Sequence, residues 1–317
     1  MRASTRFVLA FLILATSLNA FAQYSDVDPR TLPAQIAAQE RIVRTQPDNK
    51  DWKSWLKLAV LLQDAGSYRE SEDAYHQTIS LLRAPEPLTV ADVFDHMGTM
   101  YIASGQLSTA EPIERHALAI RENQHDRLGT GVSHMHLAML LLGQHELSAA
   151  ETEAQTAVNL LVPEYAHQAN VSLATPEEKM TALIDLSLVQ RASGENQTAI
   201  PALESALQIA HQNYPENSLP VGYIEFLLGQ TYWKSGDSPD ADRLMADGVQ
   251  KLTTIIGWGH PVYLRTLQQY KAFLVETKQH QKAEQISAEI KRLDRAAGIF
   301  TVASGKLTPL KTHEVHP

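Results

Sequence analysis

The chain has 317 residues and no cysteine, which excludes disulfides, thiol nucleophiles and metal sites built on thiolates. Its 36 acidic and 27 basic side chains give a net charge of −9. That balance argues against nucleic acid and anionic lipid as partners, because both require concentrated Lys and Arg.

Residues 1–22 predict a secretory signal peptide. Arg2 and Arg6 form a basic start, Phe7 to Ala15 are all apolar, and Ala20-Phe21-Ala22 sets small residues around a cleavage point before Gln23. The alternative is an uncleaved anchor, but the apolar run is shorter than the roughly 20 residues a spanning helix needs. Cleavage would remove Arg2 and Arg6, leave the chain more acidic, and place it in a periplasm or outside the cell. No second long apolar run occurs, so no membrane insertion is expected after cleavage. In the segment 23–50, Pro33 to Thr45 predicts one amphipathic helix ending before Pro47, placed to cover the first hairpin of a repeat array.

From residue 51 to 293 the chain repeats. A small residue preceded by a large one recurs at Ala59, Gly98, Ala138, Ser187 and Gly229, with Lys271 in the last copy, at steps of 39, 40, 49, 42 and 42. A second small slot holds Ser71, Ala110, Ala150, Ala199, Ala241 and Ala283. A third holds Thr78, Ala117, Ala157, Ala206 and Gly248, with Ile290 as the exception. Between the first and second slots lies a turn containing Gly66, Gly105, Gly194 or Gly236. Antiparallel helices approach closely only where a small side chain faces a large one, so each period reads as a helical hairpin. No single hairpin covers its own apolar face, and stacking is required. The sequence therefore predicts an all-α solenoid of about six hairpins.

Helix starts are expected at matching phases. Ser67 to Glu70, Ser108 to Glu111 and Ser148 to Glu151 each fit a capping box at the start of a second helix. Thr89 to Asp92 and Thr175 to Glu178 fit the start of first helices, and Ser238-Pro239 the start of another second helix.

The run Trp55…Leu58-Ala59…Leu62…Gly66…Tyr68…Ser71…Tyr75 resembles a tetratricopeptide (TPR) motif. Ala117 to Glu122 and Ile256-Gly257-Trp258-Gly259-His260-Pro261 resemble the roughly 42-residue variety found in kinesin light chains and many bacterial proteins. Ala206 to Ile209, together with Tyr214-Pro215-Glu216-Asn217, looks like a degenerate copy. Two regions depart from the pattern. Val162 to Thr175 adds about seven residues, by an overrunning second helix or a bulging loop, and Lys271 suggests a loosely packed terminal hairpin. In the tail 294–317, Ile299 to Val302 is β-prone, and the tail reads as disordered, with strand pairing as the alternative.

No serine elbow, phosphate loop, dinucleotide fingerprint or metalloprotease helix is present. His134 and His136 stand two apart on a predicted helix and so point to different faces. His313-Glu314-Val315-His316 lies in a tail without ordered surroundings. No enzyme activity, cofactor or metal site is expected. The resemblance implies that the first helix of each hairpin, helix A, lines a concave groove. The groove residues predicted there are Met135, Met139, Ile184, Leu188, Arg191, Tyr223, Phe226, Gln230 and Trp233, with Asp92, Asp95, Thr99, Arg265 and Gln268 beside them. Met adapts its shape and aromatics anchor interfaces, so the stripe suits an apolar segment of a protein or peptide partner. The competing reading is that the same side chains are core. The expected function is a protein-binding scaffold. The alternative is a structural or assembly subunit of a cell-envelope complex that self-associates through its end repeats.

Overall fold

The computed structural model describes residues 31–45, 51–82, 85–165, 173–236, 238–256 and 261–303. The predicted leader, the Gly257–His260 stretch and the tail beyond Ala303 lie outside them. Thirteen helices and no strand occur among the described residues. A single helix α1 (Leu32–Thr45) precedes six pairs. The first helices of these pairs, the A helices, are α2 (Trp52–Asp64), α4 (Pro87–Ala103), α6 (Arg127–Gly143), α8 (Pro176–Ala192), α10 (Leu219–Ser235) and α12 (Pro261–Glu276). Their B partners are α3 (Tyr68–Leu81), α5 (Leu107–Asn123), α7 (Leu147–Leu161), α9 (Asn196–Asn213), α11 (Ser238–Ile256) and α13 (His280–Ala303). The expected six-hairpin array falls into two compact units, one ending at Asn213 and one beginning at Tyr214. No helix among the described residues is long and apolar enough to cross a membrane.

The predicted small slots are where helices meet. Ala59, Ala138, Ser187, Ser71, Ala110, Ala150, Ala199, Ala241, Ala117 and Ala206 are fully buried. In the first hairpin the two slots are tied directly, Ser71 Oγ donating to the Ala59 carbonyl at 2.8 Å. The turns share one recipe. Gly66 lies at φ 72° and its amide donates to the Gln63 carbonyl, while the Ser67 amide donates to Leu62. This is the Schellman closure of a helix end, which needs a left-handed residue. Gly105 and Gly194 repeat it, and His145 (φ 66°) and Lys278 (φ 60°) hold the same position without glycine's freedom.

Several expectations are corrected. None of the three expected capping boxes has a side-chain cap bond, whereas Thr175–Glu178, expected only as a helix start, makes both reciprocal bonds. Helices α5 and α7 begin one residue before the predicted serines, capped at Gln106 and Glu146 without a side-chain bond, and α4 begins at Pro87 rather than near Thr89. The extra residues after Leu161 do not extend α7. Ile299 to Val302 is helical, because α13 continues to Ala303, past the boundary expected at 293.

Candidate functional site

Seven of the nine predicted groove residues are buried. In the first unit Met135, Met139, Ile184 and Leu188 keep 4% exposure or less, and in the second Tyr223, Phe226 and Gln230 keep 7% or less. The reason is visible in the helices. Eleven consecutive residues of α8, Met180 to Gln190, are buried, as are Val221 to Thr231 of α10. A helix buried over eleven consecutive residues, about three turns, is enclosed on every side. These side chains are core. Arg191 and Trp233 remain half-exposed, Trp233 meeting Phe273 edge-on at 5.4 Å with the Lys234 ammonium 3.7 Å from its ring centre. Gln230 donates to the Gln269 side chain at 2.9 Å.

The unusual chemistry of the molecule lies elsewhere in the first unit, between α4, α5 and α6. Glu114 of α5 is completely buried, between the small slots Ala110 and Ala117. Its Oε1 occupies the space where a side chain at Gly98 would begin. Its Oε2 faces His136 Nδ1 of α6 at 3.3 Å, and that nitrogen is 3.9 Å from Asp95 Oδ1 of α4. One turn along α5 from Ala117, Arg121 is also buried. Its Nε bonds Asp95 Oδ2 at 3.0 Å and Nη2 makes a second, shorter bond to the same oxygen. Nη2 also reaches Asp92 at 2.8 Å, and Nη1 reaches Asp126 at 2.7 Å. Ser133 Oγ donates to Asp95 Oδ1 at 3.2 Å. Gly129 is again a cradle, since a Cβ there would meet Arg121 Nη1 and Asp126.

Burial pushes the Glu114 carboxyl up to about 7, although the neighbouring His136 opposes the shift. Burial alone would depress His136, but the carboxylates of Glu114, Asp95 and Asp185, Glu114 foremost, together outweigh it and hold the imidazole up at about 9. On α8, Asp185 is buried with no hydrogen-bond partner for either oxygen, and desolvation holds its carboxyl well above the ordinary range against the pull of His136. Glu114 Oε1 also has no partner. Asp95, Glu114 and His136 together present three ligand atoms within 4.8 Å of one another, all buried, the one such group among the described residues.

The expected divergence of His134 and His136 is seen. His134 pairs with Glu153 of α7 at 2.5 Å, while His136 turns toward α5 and α4. Spacing along a single helix could not find ligands drawn from three helices. A signal was present. Four residues after the second small slot stand Tyr75, Glu114, Ala154, Leu203 and Met245, all buried. Eleven after it stand Leu82, Arg121, Leu161, Ala210 and Leu252. A carboxylate and a guanidinium thus occupy slots that the other repeats of those rows fill with mainly apolar groups.

With paired helices, small slots and αL turns in place, the architecture decides the type. The fold is that of a TPR array. RapI in its apo form superposes with a TM-score of 0.62 at 11% identity, over 90% of this chain and 97% of RapI. A Podosopora anserina protein described as a kinesin light chain with nearly identical TPR-like repeats gives 0.52 at 17% identity, over 65% of this chain and 96% of that one. A Rap protein complexed with competence and sporulation factor gives 0.55 at 10% identity, over 93% of this chain and 99% of Rap. No protein-family model and no curated protein matches the sequence. At such identities the TPR likeness concerns the fold.

Proposed function

We propose that this chain is a non-enzymatic scaffold, acting in the periplasm or outside the cell, that holds a peptide or protein segment against the surface of its A helices. The supporting observation is the TPR architecture itself, which extends over 93% of this chain in common with a Rap protein complexed with a factor. Export is inferred from the basic and apolar leader alone.

The burial of α8 directs attention to the earlier A helices of the first unit. Lys57 of α2 is exposed in the slot that holds His96 and His136 in the next two repeats, and Val60 is half-exposed in the slot of Thr99 and Met139. In the first unit successive A helices touch one another, α2 to α4, α4 to α6 and α6 to α8, so they form a continuous face. Polar slots on such a face select by hydrogen bonding, and apolar neighbours supply the area.

A photo-crosslinking residue placed at Lys57 or Val60 should capture the partner in the native compartment. The same residue at Arg69 or Arg115, exposed on the B helices, should not. Capture only from the B-helix positions would overturn the reading. One observation favours the alternative of self-association through an end repeat. In the second unit an open cavity of about 620 Å³, lined by Gln268, Lys271, Ala272, Val275, Glu276 and Ile290, leaves Val275 half exposed on the last hairpin. A concentration-independent monomer in light scattering would remove that alternative.

A further inference from the structure

The cluster in the first unit is more than an ion pair. We propose that Asp95, Glu114 and His136 form a binding site for one divalent transition-metal cation of the zinc class. The inference is independent of the scaffold reading and concerns a different part of the first unit.

Spacing is the first argument. Bonds of about 2.1 Å set near tetrahedral angles place ligand atoms about 3.4 Å apart. His136 Nδ1 stands 3.3 Å from Glu114 Oε2 and 3.9 Å from Asp95 Oδ1. A cation can enter this triangle with sub-ångström shifts of side chains already facing one another.

Support of the ligands is the second. Metal-binding carboxylates are held by hydrogen bonds from an outer layer of residues. Here Arg121 grips Asp95 Oδ2 and Ser133 Oγ bonds Asp95 Oδ1, and Arg121 is itself fixed by Asp92 and Asp126. Ligands on three different helices are fixed by the packing of those helices rather than by a loop.

Unsatisfied groups are the third. Glu114 Oε1 and both oxygens of Asp185 are buried without a hydrogen-bond partner. Asp185 holds on α8 the slot that His136 holds on α6, these two helices touch, and the charges of Asp185 and His136 act on one another. Orphaned buried carboxylate oxygens are costly, and a cation held by Glu114 Oε2 lowers that cost by neutralising the carboxylate and adding positive charge near Asp185. The charges agree. Asp95, Glu114 and Asp185 are buried carboxylates, and the one buried guanidinium, Arg121, is shared among Asp95, Asp92 and Asp126, so a dication beside a neutral imidazole offsets negative charge that the surrounding side chains leave uncompensated. The proton between His136 and Glu114 leaves to solvent as the metal enters. An imidazole nitrogen and a small ligand set favour a zinc-class ion over calcium or magnesium, which take more oxygen ligands.

The test titrates chelator-treated full-length chain with Zn²⁺ by calorimetry and with Co²⁺ by visible absorption. The site requires one equivalent bound, Co²⁺ bands of a low-coordinate centre, and a higher Tm with Zn²⁺. Glu114→Gln and His136→Gln should each abolish that equivalent while the circular dichroism stays helical. Ser133→Ala should weaken binding about tenfold to a hundredfold. The double change His313→Ala with His316→Ala should leave it intact. Absence of Co²⁺ bands in the unaltered chain overturns the proposal whether or not the variants fold. So does binding that survives His136→Gln and disappears with the tail histidines.

Discussion

Hairpins α4–α5 and α10–α11 are built on one plan and filled with opposite chemistry. Both have a glycine in the first small slot, Gly98 and Gly229. Against Gly98 lies the Glu114 carboxylate; against Gly229 lies Met245. Where α4 carries Asp95, α10 carries Phe226, and where α5 carries Arg121, α11 carries Leu252. The apolar hairpin goes further, because Gly248 meets the Gly222 carbonyl and the Phe226 amide directly, so the two backbones touch. The repeat thus fixes the volume of a slot and leaves its polarity open. An apolar slot needs only fit. A charged slot needs every partner in place, and that requirement gives α4–α5 its specific chemistry.

The heaviest loss should come at a single slot that the two hairpins fill differently. Arg121→Met should destabilise by about 3–5 kcal/mol, because it leaves Asp95 buried and unpaired. Leu252→Ala, at the equivalent place in α11, removes packing alone and should cost about 2–5 kcal/mol. The two hairpins differ in their dependence on pH. Metal-free, Glu114 is raised from 4.5 to about 7 and His136 from 6.5 to about 9. Both folded values lie above the unfolded ones, so each contributes stability that is complete below its unfolded value and is lost as pH rises through the folded one. Urea midpoints read by circular dichroism in the presence of chelator should fall from pH 5 to 9. Glu114→Gln removes its own titration and the carboxylate that holds His136 up, so it should flatten most of that fall, and Leu252→Ala should keep it. Repeat arrays need not unfold in one step, so hydrogen exchange over α4–α6 is the companion measurement.

Glycine substitutions extend the contrast at lower cost. Gly248→Ala would place a Cβ 2.5 Å from the Gly222 carbonyl oxygen, and backbone cannot step aside. About 2–3 kcal/mol should be lost. Gly98→Ala meets the end of the Glu114 side chain, which can rotate, and should cost about 1 kcal/mol in packing. Equal losses at the two sites would contradict the distinction between a charged and an apolar slot.

The architecture was legible because the small slots are spaced by helix geometry and buried almost without exception. Gly66, Gly105, Gly194 and Gly236 marked four of the turns correctly. Polarity inside the array was not legible from local patterns. Glu114, on an otherwise polar-looking stretch of α5, resembles a solvated face until its slot is aligned with Tyr75, Ala154, Leu203 and Met245. The predicted groove of Met and aromatic residues erred in the other direction. Residues pointing along the A-helix face are available to a partner only if nothing covers them, and the apolar surroundings of Ile184 and Phe226 show cover on every side. Local capping was misread by two residues, since Ser108 and Ser148 lie inside the first turn, after Gln106 and Glu146.

That misreading gives a test of about 1 kcal/mol. Thr175→Ala removes the side-chain arm of a formed capping box, leaving the backbone amide at 175 to donate to Glu178, and should cost about that much in thermal unfolding. Ser108→Ala, in a sequence that looks the same, should stay within about 0.5 kcal/mol, as substitutions away from formed caps do.

The turns should give the slightest change, and with the opposite sign. Left-handed backbone is unfavourable for a residue with a Cβ, and glycine removes that cost at some loss of unfolded-chain entropy. His145→Gly and Lys278→Gly should each stabilise by about 0.5–1 kcal/mol, bringing those turns to the state of Gly105 and Gly194. Gly105→Ala should lose a comparable amount, about 1 kcal/mol. Midpoints of urea unfolding would show it. A loss on His145→Gly would mean that the imidazole makes contacts worth more than the backbone strain it carries, and the turn would then have to be counted with the charged interior rather than with the repeat.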